Sequence, residues 1–116
     1  MKLFGLLALV AALATAGPAL AVSPGEAANM LSATISDLQG ATPNYGSMTP
    51  GVAENVRANP GVAEKLAALG PIRTMVAVSK TNPFTFVVTF ESGVVMNWAI
   101  SFDAAGKINR LDATGK

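Results

Sequence analysis

Apolar residues recur along this chain with two different periods, and the change comes near residue 72. Ala27, Met30, Leu31, Ile35 and Leu38 repeat at spacings of three and four, the single stripe of an amphipathic helix. Ser23-Pro24-Gly25-Glu26 starts that helix with a cap residue, a proline at the first helical position and the glutamate of a capping box. Gly40 stands where helices end. The pattern predicts a helix over 24–39.

A loop over 41–48 follows, rich in Thr, Pro, Asn, Gly and Ser, with the chain's one tyrosine, Tyr45. Thr49-Pro50-Gly51-Val52-Ala53-Glu54 is then echoed ten residues later by Asn59-Pro60-Gly61-Val62-Ala63-Glu64. Each copy pairs a cap residue with an N-terminal proline. Two short helices are expected, over 50–58 and 60–69, burying Val52, Val56, Val62, Leu66 and Leu69. Ten residues is too short for a solenoid unit, so the echo is a local structural device.

From Ile72 the period becomes two, over 72–79, 84–91, 94–102 and 107–112. The even positions Ile72, Thr74, Val76, Val78, Phe84, Phe86, Val88, Phe90, Val94, Met96, Trp98, Ile100, Phe102 and Ile108 are apolar except for one threonine. They are the expected core face of an antiparallel meander. A three-residue turn at Glu91-Ser92-Gly93 keeps that face on one side by opposing Phe90 to Val94, and Phe86 to Trp98. Ala104-Ala105-Gly106 repeats the device, opposing Phe102 to Ile108 and bringing Asp103 and Lys107 together as an ion pair. Helices followed by strands give an α+β fold, with N-terminal helices on one face of a curved four-stranded antiparallel sheet.

The odd face mixes Arg73, Thr85, Thr89, Glu91, Asn97 and Ser101 with Met75, Val87, Val95, Ala99 and Leu111. Its apolar content makes Met75, Val87, Val95, Asn97 and Leu111 candidates for an interface, either in a homodimer or with an exported partner.

Composition changes the picture mainly at the N-terminus. Lys2, the apolar run from Leu3 and the small-x-small triplet Ala19-Leu20-Ala21 have the layout of a cleavable signal peptide over 1–21. The run is too short to span a bilayer. The expectation is export to the periplasm or beyond, no membrane attachment after cleavage, and one domain over 22–116. With Lys2 set aside, seven Lys/Arg balance seven Asp/Glu. A neutral chain without a basic run lacks the electrostatic footprint of a nucleic-acid binder. Cysteine and histidine are both absent, which removes disulfides, thiolate zinc sites and the commonest general base.

The C-terminal stretch Leu69-Gly70-Pro71-Ile72 onward, through FTFVVTFESGVVMNWAISFDAAGKINRL, resembles the small nuclear-transport-factor-2-like (cystatin-like) domains of secreted bacterial proteins. The shared features are the Leu-Gly-Pro entry, an aromatic-rich strand, the Phe-x-x-Gly turn, Trp98 in the next strand and the Asp-x-x-Gly-Lys-Ile turn. The stretch from Asn44-Tyr45 to Met48-Thr49-Pro50 also looks like the family's loop into its second helix. The resemblance covers about 28–111. It implies a curved sheet wrapped around the first helix, often in dimers, found alone or appended to secreted serine hydrolases. The family pattern has an acidic residue before the tryptophan. Here it is Asn97, so no role of that charge carries over.

Enzymes of this superfamily use an Asp or His base with a Tyr donor inside the sheet cone. Among the seven carboxylates only Asp37, late in the first helix, has a position from which to face such a cavity near Tyr45. Its other reading is a solvated helix residue. Trp98 and the phenylalanines around it, Phe86 among them, either fill a core or line an apolar pocket. No phosphate loop, nucleophile elbow or metal-ligand spacing is present. The expectation is a binding or interaction module with no catalytic residue, metal or cofactor. The alternative is a carrier of a small apolar ligand, with Asp37, Tyr45, Trp98 and Phe86 around a pocket between the first helix and the sheet.

Overall fold

The computed structural model describes residues 22–115; the expected signal segment over 1–21 lies outside them. Three helices precede the sheet: α1 (Pro24–Gln39), α2 (Pro50–Ala58) and α3 (Gly61–Ala67), with a single 3-10 turn at Tyr45–Ser47. Four strands follow, β1 (Ile72–Ser79), β2 (Phe84–Phe90), β3 (Val95–Phe102) and β4 (Ile108–Gly115). They pair in chain order as an antiparallel meander. The fold is α+β, as the periods predict.

The first helix starts as its sequence dictates. The Glu26 amide donates to Ser23 Oγ at 3.1 Å, and the Ser23 amide donates to Glu26 Oε1 at 3.0 Å, the reciprocal bonds of a capping box. Its buried stripe is Ala27, Leu31, Thr34, Ile35 and Leu38. Its end differs from expectation by one residue. Gly40 has φ −86°, and the left-handed residue is Ala41, with φ +58°. The Ala41 amide donates to Leu38 O, and the Thr42 amide to Asp37 O at 2.9 Å, which is the Schellman pattern with Ala41 in the position glycine favours.

The core lies between α1 and the sheet. Leu31, Ile35, Phe84, Phe86, Val88, Phe90, Ile100 and Ile108 are fully buried there. Phe84 and Phe102 meet edge-on, ring centroids 6.1 Å apart, a favoured arrangement of aromatic quadrupoles. Two distant tethers close the structure. Gln39 Nε2 donates to the carbonyls of Leu66 and Gly70, fastening the end of α3 to α1. The Thr49 amide donates to Ile108 O at 2.9 Å, fastening the start of α2 to β4.

The β2–β3 register is the one the turn predicts, with Phe84 opposite Ile100, Phe86 opposite Trp98 and Val88 opposite Met96. Gly93 and Gly106 carry the positive φ that these three-residue loops require. The expected Asp103–Lys107 ion pair does not form. Asp103 Oδ1 instead accepts the amides of Ala105 and Lys107, and Lys107 Nζ reaches the carbonyl of Gly46.

The outer strands correct the face assignment. A bulge between Ile72 and Thr74 inserts one extra residue into β1, so that the side chains from Thr74 to Ala77 change sides before a further shift between Ala77 and Ser79. Met75 stands opposite Val88, and Ala77 opposite Phe86; both pack against the core. Val76 and Val78, expected inside, are 58% and 66% exposed. A bulge opposite Ser101 and Phe102 likewise changes the sides of the later residues of β4. Ile108 opposes Phe102, but Leu111 opposes Ile100 and packs against the core. Met75 and Leu111 therefore leave the outer face, whereas Val87, Val95 and Asn97 stay on it. Val62 and Val94, also expected to be buried, are exposed.

Candidate functional site

The bulge in β4 has a direct consequence for the surface. By turning Leu111 and Ala113 toward the helices, opposite Ile100 and Trp98, it gives the sheet an apolar floor at the end where α1 stops. The loop after α1 and the two short helices form the walls. The result is an open cleft of about 360 Å³, near the small end of ligand sites, which run from roughly 300 to 1,000 Å³.

Trp98, Leu111 and Ala113 form the sheet side of the cleft, and Leu38 closes it at the end of α1. Ala41, Pro43 and Tyr45 come from the loop; Asn55, Val56 and Arg57 come from α2. Asn59, Pro60, Val62 and Ala63 complete the wall at the start of α3. Val62, exposed rather than buried, borders this cleft.

Trp98 is 3% exposed, and its Nε1 has no hydrogen-bond partner among the described residues. A buried N–H without an acceptor costs about 1–3 kcal/mol; the Nε1 atom itself is closed off from solvent and does not open onto the cleft. At the rim, the Arg57 guanidinium lies 4.2 Å from the centroid of the Tyr45 ring, an attraction of about 0.5–1 kcal/mol at an exposed site. Arg57 is the sole charged side chain on the lining, which holds no Asp, Glu or Lys.

No family model matches the chain, and no curated protein or solved structure does.

Of the four residues expected around a pocket, the structure brings two together. Tyr45 and Trp98 line the cleft. Phe86 is fully buried in the core, and Asp37 is half-buried on α1 away from the lining. The Asp37 backbone carbonyl ends the helix by accepting Thr42, and its carboxylate makes no ion pair among the described residues. Arg57, Leu111, Ala113 and Val56 were not foreseen. Leu111 and Ala113 depend on a bulge, and nothing in the sequence pattern singles out Arg57.

A second depression of about 330 Å³ lies across α2 and β4, beside Thr49, Asn109, Arg110 and Asp112. Arg110 Nε is bonded to Asp112 Oδ2 at 2.6 Å, so its charges already satisfy each other. Among the described residues no group of acidic side chains is placed to hold a metal, and no helix is long and apolar enough to cross a membrane.

Proposed function

We propose that this chain is an exported, non-catalytic binding module of the cystatin-like kind, and that its cleft receives a small apolar ligand. The observation that carries the reading is the cleft itself, an open and largely apolar space bordered by Trp98, Leu111, Val56 and Val62. A ligand body lying against Val56, Val62 and Leu111 would remove their apolar surface from water. Carboxylates are missing from the lining, which favours binding over proton transfer. Trp98 is the chain's one tryptophan, so its emission reports on this site alone. Titration of the protein with short alkanols should shift or quench that emission to saturation; an unchanged spectrum throughout refutes the reading.

A second reading rests on the outer face. Val76 stands opposite Val87, which stands opposite Asn97, and Val95 stands opposite Thr89. This uncharged band continues to the unpaired edge of β1, where Val76 and Val78 are the most exposed large apolar residues. Self-association through this band is its proposed role. Sedimentation that shows only monomer across a wide concentration range would remove it.

A further inference from the structure

Resting on the cleft reading above, we propose that the ligand is an anionic amphiphile, an apolar body ending in a carboxylate, with that carboxylate held by Arg57. Three observations converge on it. The walls contributed by Leu38, Val56, Trp98 and Leu111 suit a hydrocarbon body. Arg57 contributes the only charge on the lining, and it is positive. Arg57 also has no ion-pair partner among the described residues; Glu54, one turn earlier on the same helix, does not reach it.

The stacking of Arg57 on Tyr45 gives the assignment its geometry. A guanidinium laid over an aromatic ring is attracted through its face. Its N–H groups lie in the guanidinium plane, so stacking leaves them free to donate at the edge. A carboxylate accepts two of them at once, which a neutral hydroxyl cannot do. The ring also restricts the long side chain before any ligand arrives, which lowers the entropy lost on binding. An exposed arginine opposite an acidic neighbour would have neither property. Charge, apolar walls and a pre-positioned donor fork thus define one end and the body of a single ligand class.

The test compares decanoate with decan-1-ol, which share a body and differ in the head group. Affinities are measured by Trp98 emission and by calorimetry, on the wild-type chain and on Arg57→Gln. Arg57 is exposed on α2, so the substitution leaves the core untouched, and circular dichroism checks this. Decanoate should bind about fivefold or more tightly than decan-1-ol, the size expected of a partly exposed ion pair. Arg57→Gln should abolish that difference, the loss falling mainly on decanoate. Raising salt should weaken decanoate binding alone. Arg57→Lys, which keeps the charge but loses the fork, should fall between. Equal binding of the two probes, or an equal loss of both in Arg57→Gln, overturns the carboxylate assignment while the cleft stands. If neither probe binds the wild-type chain, both the assignment and the cleft reading fail.

Discussion

Asn82 and Phe102 exchange two hydrogen bonds: Asn82 Nδ2 donates to the Phe102 carbonyl, and the Phe102 amide donates to Asn82 Oδ1, each at 3.1 Å. A side chain from the β1–β2 loop thus pairs with the backbone of β3 as a neighbouring strand would. Phe102 is buried against Phe84 at this corner, so the loss of both partners strands an amide and a carbonyl near the core. Asn82→Ala should lower stability by about 1–3 kcal/mol. Asn82→Asp keeps the acceptor but sets a carboxylate oxygen against the Phe102 carbonyl oxygen, so it too should destabilise the fold at neutral pH. Urea denaturation of the three proteins orders them; an alanine variant as stable as wild type contradicts the role given to this side chain.

The end of α1 makes a prediction contrary to its sequence. Ala41, not Gly40, holds the left-handed conformation. A side chain there costs about 1–2 kcal/mol relative to the right-handed form. Ala41→Gly should therefore stabilise the fold, by about 0.5–1 kcal/mol after the added freedom of the unfolded chain is counted. At Gly40 a Cβ would meet nothing closer than Thr42 Oγ1 at 3.5 Å, so Gly40→Ala should be neutral or mildly stabilising. Thermal melts of the single and double variants check both, and a destabilised Ala41→Gly would count against the Schellman ending.

At the other end of α1, the Ser23 backbone N–H bonded to the Glu26 carboxylate, followed by the Ser23 side chain, holds the Glu26 pKa below the ordinary glutamate value. Its folded pKa is depressed, so its stabilising contribution is present above the unfolded pKa and is lost as pH falls through the folded one. Glu26→Gln removes this titration. The difference in melting temperature between wild type and Glu26→Gln should be constant near neutrality and shrink on acidification below the glutamate range. A difference that widened in acid would reverse the sign and refute the bond. Ser23→Ala should cost about 1 kcal/mol through the lost cap.

The faces of β1 can be separated by one pair of variants. Val76→Lys places a charge on an exposed edge strand and should change stability by less than about 0.5 kcal/mol. Met75→Lys places one against the core beside Val88 and should cost about 2 kcal/mol or more. Strict alternation from Ile72 predicts the opposite order. Denaturant midpoints decide between them.

That contrast marks where the sequence stopped being legible. The limits of α1, the three-residue turns with Gly93 and Gly106, and the pairing of Phe86 with Trp98 all follow from local signals. Capping residues, glycines with positive φ and strict alternation in β2 and β3 point one way there. In β1 both parities are apolar, since Ile72, Val76 and Val78 alternate with Met75 and Ala77. An inserted residue leaves no mark in such a pattern. The cleft was hidden for the same reason. Leu111 reaches it through a bulge, and the approach of Arg57 to Tyr45 joins residues that only tertiary folding brings together. Tyr45 and Trp98 were found because they are singular, whereas Asp37 and Phe86 were grouped with them by the shape of a fold that this chain fills differently.

Filling the cleft should separate binding from stability. Ala113 stands opposite Trp98 in β4, is exposed, and borders the open space. In Ala113→Phe the new ring can lie beside the already buried indole and cover part of the half-buried Leu111, two residues away on the same face. Phenylalanine also suits a strand better than alanine. The fold should therefore be as stable as wild type or gain up to about 1 kcal/mol from the aromatic pair. The same ring occupies the volume a ligand needs, so affinity for decanoate should fall at least tenfold. Calorimetry measures the binding, since Trp98 emission will itself be altered by the ring, and thermal melts measure the stability. Undiminished binding in a variant of normal stability would place the ligand outside the Trp98 cleft. A large loss of stability would mean that β4 does not present Ala113 to open space.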